Sequence, residues 1–392
     1  MEPRFPWSST HPFIAFDFDS ARLPQRTWLQ LGQALVMCQQ LASSPLKPAL
    51  ANTLGQIYLA RGAQSTTAIE GNTLSDAEVL AVVRKGTADV PEARAYLERE
   101  VVNIIDLVRE IDRSLIEGAP LPITAERLRY LNRGVLQGIP DKPEVVSGEY
   151  RTHDVKACRY RALDHQDVAE GVDQLVKWLE ELRGRVNSYG RSEDRFVNAV
   201  LAATLAHLYI AWVHPFGNGN GRLARLIEVQ ILSESGVVPL PSTNLLSDHY
   251  NRTRERYYQA LDDAQRNING FVSYAVTGFV GELEEQIKRV QGESLQVHWE
   301  SYVYETFREL PNTASRKRQR DLALVLPEGE EVTADRVRVL TTELARDYAL
   351  AGDRMPTRDL NELVRLKLAL KMGRRYSAAR ASMKNFMPPV AP

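Results

Sequence analysis

Apolar residues recur at helical spacing along most of the chain and alternate with polar ones almost nowhere. Over residues 93–117, Val101, Val102, Ile105, Val108, Ile111 and Leu115 form one stripe of a long amphipathic helix. Residues 28–63 read as helical, with a break at Ser43-Ser44-Pro45. Residues 63–72 read as a separate short helix that Gly71 ends, and 76–83 as another. Thr124 is an N-cap candidate for a helix over 124–137. Further helices are expected at 168–185, 194–213, 222–235, 248–265 and 271–291. Residues 196–213 are almost wholly apolar, the pattern of a helix buried on every side. The helical period fails at 140–153, and 149–160 read as extended, which predicts a short hairpin. Residues 1–20, rich in proline and aromatic side chains, read as an extended arm. The fold class expected is mostly α, with that hairpin and a small C-terminal module, helical or winged-helix.

A chain of 392 residues is long for one core. The expected division is an N-terminal helical region at 1–90, a core at 91–292 and a module at 293–392. A net charge of −1 rules out a global attraction to nucleic acid or membranes and leaves only local patches. The two cysteines, Cys38 and Cys158, make neither a disulfide framework nor a CxxC metal site. The N-terminus lacks a basic segment followed by an apolar run, and no stretch reads as long enough to span a membrane. The expected location is the cytoplasm, with no membrane partner.

Candidate chemistry concentrates in residues 214–225, His-Pro-Phe-Gly-Asn-Gly-Asn-Gly-Arg-Leu-Ala-Arg, between two apolar helical patterns. Gly217, Gly219 and Gly221 let the backbone approach a ligand closely. They precede a helix whose first N–H groups lack partners and whose dipole is positive, an anion seat. Arg222 and Arg225 add charge-assisted donors suited to phosphate, and His214 supplies a base near neutral pH. No Gly-Lys-Ser/Thr follows, so this is not a Walker A loop, and the preceding helix argues against a dinucleotide-binding fingerprint. The alternative from the residues alone is a glycine-rich helix–helix turn holding a buried histidine.

Residues 214–225 match every defined position of HPFx[D/N]GNGRxxR, and so resemble the signature of the Fic (filamentation induced by cAMP) family. Residues 147–160 resemble that family's hairpin flap, and 256–261 its downstream helix near adenine, so the likeness spans roughly 60–290. It implies transfer of AMP from ATP to a Ser, Thr or Tyr hydroxyl of a protein target or of the chain itself. His214 is implied as general base. Gly219, Asn220 and Gly221 are implied to hold the α-phosphate, and Arg222 and Arg225 the β- and γ-phosphates. Ala157, Cys158, Arg159 and Tyr160 in the flap, with Tyr257, Tyr258 and Gln265, are implied to line the nucleotide. Gly217 shapes the loop, Phe216 anchors it and Pro215 fixes its entry. Asn218 takes the place of the acidic metal ligand common in the family, so the implied Mg²⁺ or Mn²⁺ would be held by a neutral amide oxygen, a weaker ligand.

The segment 65–72 resembles the family's inhibitory motif, [S/T]xxxE[G/N], in Thr66, Glu70 and Gly71. Thr66 and Glu70, four apart, share one helix face. The resemblance implies that Glu70 pairs with Arg225 and brakes the enzyme in cis. It leaves open transfer of another nucleotide moiety, removal of AMP by Glu70, and a homodimer of the kind common in the family. Beyond 292, residues 316–320 form a basic run, and 351–392 hold nine basic and three acidic side chains. Arg365, Lys367, Lys371, Arg374, Arg375 and Arg380 are nucleic-acid-binding candidates, with a merely solvated face as the equal alternative. A regulatory, DNA-binding protein with a weakened Fic site is the second class of function.

Overall fold

The protein is described by a computed structural model over residues 4–383, apart from Pro45, Cys158, Arg159, Tyr189, Leu350 and Ala351. The chain divides into two compact units, Met1–Lys288 and Arg289–Pro392. The first takes in both segments that the sequence divides at residue 90.

In the first unit, α1 (Gln25–Ser43) and α2 (Pro48–Ile69) are followed by α3 (Asp76–Lys85), α4 (Ala95–Ile116) and α5 (Ala125–Leu136). A hairpin of β1 (Lys156–Ala157) and β2 (Tyr160–Arg161) precedes α6 (Val168–Ser188), α7 (Ser192–Val213) and α8 (Asn220–Glu234). Then come α9 (Leu245–Arg252), α10 (Arg254–Asp263) and α11 (Ile268–Arg308), the last of which crosses the division between the units.

The core is built around α7. Every residue from Ala199 to Val213 is buried, and α6 and α8 pack along its length. A helix enclosed on all sides has no face for polar residues, hence its continuous apolar run. At 22 residues and a mean hydropathy of 1.7, α7 is long and apolar enough to cross a membrane, which corrects the expectation that no stretch is. Here 89% of that apolar window is buried within the protein.

Four local expectations also change. Residues 63–69 are not a separate helix; they are the last turns of α2, which runs unbroken from Pro48 to Ile69. The N-terminal arm is not extended throughout: Pro6–Ser9 and Ser20–Arg22 form short 3-10 turns, Trp7, Ile14 and Phe16 are buried, and the Phe16 ring stacks on Tyr209 of α7 at 5.2 Å. The helix expected over 248–265 is two helices, broken at Thr253, where φ is −117° and ψ 37°. The extended pairing at 149–160 reduces to a bridge between Tyr150 and Phe216 and the pairs Lys156–Arg161 and Ala157–Tyr160.

The second unit contains α12 (Ala314–Val325), β3 (Val332–Thr333), α13 (Ala334–Val337), α14 (Thr342–Ala349), α15 (Met355–Arg365), β4 (Ala369–Met372) and β5 (Arg375–Ala378). The strands form an antiparallel sheet in the order β3-β5-β4, with Val332 opposite Tyr376 and Lys371 opposite Tyr376 from the other side. Trp299, Leu322, Leu360, Leu363 and Tyr376 meet in its own core. The basic run at 316–320 is largely consumed inside the unit. Arg316 pairs with Glu362 at 2.6 Å, Arg318 with Asp359 at 2.7 Å and Arg320 with Asp321 at 3.1 Å.

Candidate active site

His214 closes α7 in the left-handed conformation, φ 48° and ψ 60°, a strained choice for a residue with a Cβ. The turn is held by its N–H bond to Ile210 O and by Arg151 below it. The buried Arg151 guanidinium donates to the carbonyls of His214 (2.8 Å), His153 (2.9 Å), Leu163 and Val213, while its own N–H reaches Pro215 O (3.0 Å). One side chain thus ties the base of the hairpin to the start of the glycine loop.

The His214 ring is half-buried, and its Nδ1 lies 3.2 Å from Ala211 O. A carbonyl only accepts, so Nδ1 carries the hydrogen and Nε2 keeps its lone pair. Burial pushes the pKa down to about 4, Arg151 adding to the effect, while the Ala211 bond and Glu70 oppose it. At neutral pH the ring is an uncharged base.

The loop then turns into α8. Phe216, fully buried, is the anchor expected of it. Asn220 closes the loop over four residues, accepting from Phe216 N–H (3.0 Å) and donating to Phe216 O (2.8 Å). Both polar atoms of its side chain are therefore engaged by the loop, which fixes the amide in place and leaves one of its two N–H donors beyond the bond to Phe216 O. Gly219 has φ +81°, and a Cβ there would meet Asn132 Nδ2 at 3.0 Å. Asn132, on α5, donates to Asn218 O (2.9 Å) and accepts from Gly148 N–H (2.9 Å), a second tie between flap and loop.

Two carboxylates occupy the cations at the start of α8. Arg222 donates to Glu100 of α4 at 2.9 Å, and Glu100 also accepts from Asn72 at 2.9 Å. Arg225, 2% exposed, donates to Thr66 Oγ1 (2.6 Å), Thr66 O (3.1 Å) and Glu70 Oε1 (2.6 Å). Glu70 caps α2, and Gly71 at φ +103° lets the chain leave. A Cβ on Gly221 would meet Glu70 Oε1 at 2.5 Å, so the carboxylate lies against the first turn of α8, at its positive end. Burial raises the Glu70 pKa, but Arg225, Arg222 and His214 outweigh it and hold the carboxyl below its usual range. The fold brings Thr66 and Glu70 onto Arg225, with Gly71 next to Glu70 in the chain.

Beneath Arg225 lies a buried relay. Its Nη1 is 3.5 Å from Tyr257 OH, which is 2.8 Å from His207 Nε2; His207 Nδ1 is 3.3 Å from Glu228, and Glu228 accepts from Tyr250 (2.9 Å). Tyr257 is 2% exposed and belongs to this support, not to a nucleotide-facing wall. Tyr258 is half-buried with its hydroxyl 3.4 Å from Ile69 O, next to Glu70. Gln265 Nε2 donates back to Asp262 O (3.1 Å) and Oδ1 (2.9 Å) at the end of α10, so its donors are engaged locally. Ala157 and Tyr160 pair across the hairpin, whereas Cys158 and Arg159 lie outside the described residues.

The residues do not fit a metal in this arrangement. Asn218 Oδ1 accepts from Gly219 N–H (2.7 Å) and Arg222 (3.3 Å), which turns it toward positive partners; its amide nitrogen donates to Asp141 (2.6 Å). Among the described residues no cluster of three His, Cys, Asp or Glu forms.

Sequence reasoning missed Arg151, Asn132, Glu100 and the His207–Tyr257 relay. Each is polar, buried or, for Glu100, half-buried, and bonded to residues far away in sequence, and periodicity carries no signal for such pairs. Arg151 falls within the stretch 147–160 that resembles the flap, but nothing in that likeness marks it as a support of the His214 turn.

Residues 122–232 match the family model described as Fic/DOC family. Over 212 residues the chain is 30% identical to protein adenylyltransferase fic-1 of Caenorhabditis elegans, a match covering 53% of this chain and 37% of that protein. It is 27% identical over 211 residues to protein adenylyltransferase Fic of Nematostella vectensis, covering 53% and 44%. The chain therefore spans less than half the length of these curated relatives. Among solved structures, a Fic family protein of Desulfovibrio desulfuricans G20 aligns with TM-score 0.52 at 18% identity, covering 90% of this chain and 94% of that one. A fragment of C. elegans Fic-1 aligns with TM-score 0.53 at 23% identity, covering 68% and 74%. At these identities the structures share the fold.

Proposed function

With a Fic/DOC family domain over residues 122–232, we propose that this chain is a protein adenylyltransferase held in check by its own α2. The observation that carries the proposal is a neutral His214, its Nε2 lone pair free, next to a helix N-terminus with two buried arginines. That is the equipment for moving a nucleotidyl group to a hydroxyl.

In the proposed step, His214 Nε2 takes the proton of a target hydroxyl as its oxygen attacks the α-phosphorus of ATP. The bond from the α-phosphorus to the bridging oxygen breaks, and pyrophosphate leaves. The N–H groups at the start of α8 receive the developing charge on the α-phosphate. Arg225 serves the leaving phosphates once Glu70 releases it, and Arg222 once Glu100 does. Asn220 keeps the loop in shape. Arg151 fixes the His214 turn, so the base is presented without a search through conformations.

Label transfer tests this. ATP carrying tracer on the α-phosphate is incubated with wild type, Glu70→Gly, and Glu70→Gly/His214→Ala, beside a γ-labelled control. Protein-bound α-label in Glu70→Gly alone supports the proposal. Label from the γ-phosphate alone, or α-label that survives loss of His214, refutes it.

A further inference from the structure

We propose that the Arg289–Pro392 unit is a winged-helix module that binds double-stranded DNA through the solvent face of α15 and the β4–β5 hairpin. Four observations lead there. First, the order α12, β3, α13–α14, α15, β4, β5 sets a helix beside a two-stranded hairpin, with β3 pairing on the far side of β5. Second, Arg354, Arg358, Asn361 and Arg365 follow at intervals of four, three and four, one stripe of α15, and all are exposed. The opposite side, with Pro356, Asp359, Leu360 and Leu363, is buried.

Third, stripe and hairpin are continuous. Lys371 of β4 donates to Asn361 Oδ1 at 3.0 Å and Tyr376 of β5 donates to the same atom at 3.1 Å. Lys367 before the hairpin and Arg374 at its turn are exposed too. Fourth, the acids nearby are already neutralised. Asp359 is buried under Arg318, Gln319 and Tyr348, and Glu362 accepts from Arg316 and Arg365. Arg380 faces inward, over the Trp299 ring at 5.7 Å, and drops out of the surface set. The unit thus spends Arg316, Arg318 and Arg320, and on the stripe itself Arg365, on its own carboxylates, and leaves Arg354, Arg358, Lys367 and Arg374 exposed to solvent.

The shape selects the partner. An 11-residue helix is about 16 Å long, and the major groove of B-DNA, about 12 Å wide, accepts one; a flanking basic hairpin then meets phosphates. A-form RNA presents a deep, narrow major groove that excludes a helix. Single strands need exposed aromatic platforms, and no exposed aromatic ring lies among the described residues of this face.

The test uses the full chain and a fluorescent mixed-sequence DNA duplex, with affinity followed by anisotropy across a salt series. Wild type should bind with log affinity falling linearly in log salt. Arg358→Glu/Arg374→Glu should weaken binding by at least about tenfold and flatten the slope by about two. Arg358→Gln/Arg374→Gln should fall between, which guards against a misfolded reversal variant. Lys177→Glu/Arg185→Glu, which makes the same change of charge on exposed α6 positions of the first unit, should bind as wild type. Absence of binding at low salt, an equal loss in the α6 variant, equal affinity for duplex RNA, or preferential binding to anionic lipid vesicles would each overturn the proposal.

Discussion

Glu70 at the end of α2 and Arg225 on the first turns of α8 stand 2.6 Å apart, and the carboxylate lies where a side chain on Gly221 would have to go. It fills the seat that the helix N-terminus offers to an anion. Glu70→Gly should therefore raise AMP transfer by roughly ten- to a hundredfold, the range of one charge-assisted bond of about 1.5–3 kcal/mol. Without nucleotide the same variant should lose about 1–2 kcal/mol of stability, because a buried guanidinium loses its counter-ion while Glu70 itself is partly exposed. Thermal melts check both ends: the variant melts lower alone, and ATP raises its melting temperature more than that of wild type.

Gly221→Ala separates release of the brake from access to the seat. The added methyl displaces the Glu70 carboxylate, yet it also stands over the N–H groups that a phosphate needs. In the Glu70→Gly background it should lower AMP transfer by about tenfold or more. Unchanged transfer in the double variant would mean that phosphate does not approach Gly221.

His214 is neutral because burial disfavours its charged form, with a pKa of about 4 against an ordinary 6.5. A base must be unprotonated to act, so kcat/KM of Glu70→Gly should hold steady as pH falls through 6.5 and decline only toward about 4. Glu70 opposes the depression, so its removal moves the acid limb lower still, not higher. A pH–rate profile breaking near 6.5 would contradict this.

Arg151 serves four carbonyls with one planar group, which an ammonium cannot match. Arg151→Lys should cost about 2–3 kcal/mol in urea unfolding. It should also slow AMP transfer in the Glu70→Gly background, since the His214 turn loses its support.

Tyr257→Phe should cost about 1–3 kcal/mol, because His207 Nε2 and Arg225 Nη1 lose a shared partner inside the core. ATP affinity in the Glu70→Gly background should fall with it, as Arg225 is then less well held. Isothermal titration and denaturant melts together distinguish this from a purely structural loss, which would leave affinity unchanged.

Residues adjacent in sequence were the legible part of this protein. The stripe of α4, the continuous apolar run of α7, the Thr124 cap, a helix stopping just before Gly71 and the compact loop from His214 to Arg225 all depend on neighbours within a few positions, where periodicity and capping operate. The same local view split α2 at residue 63 and joined α9 to α10, because breaks depend on what packs outside the helix. Thr253, with its hydroxyl shared between His249 O and Tyr274, sits at such a break. The resemblance linked Glu70 to Arg225, but only the tertiary structure placed the carboxylate against Gly221, engaged Asn220 with Phe216, and sank Tyr257 below Arg225. It also decided which basic residues of the second unit face water: Arg316 and Arg318 meet carboxylates on α15, whereas Arg358 and Arg374 do not. A buried ion pair or relay joins side chains from separate elements and forms only when desolvation is compensated at that one place, a condition no single stretch of sequence contains.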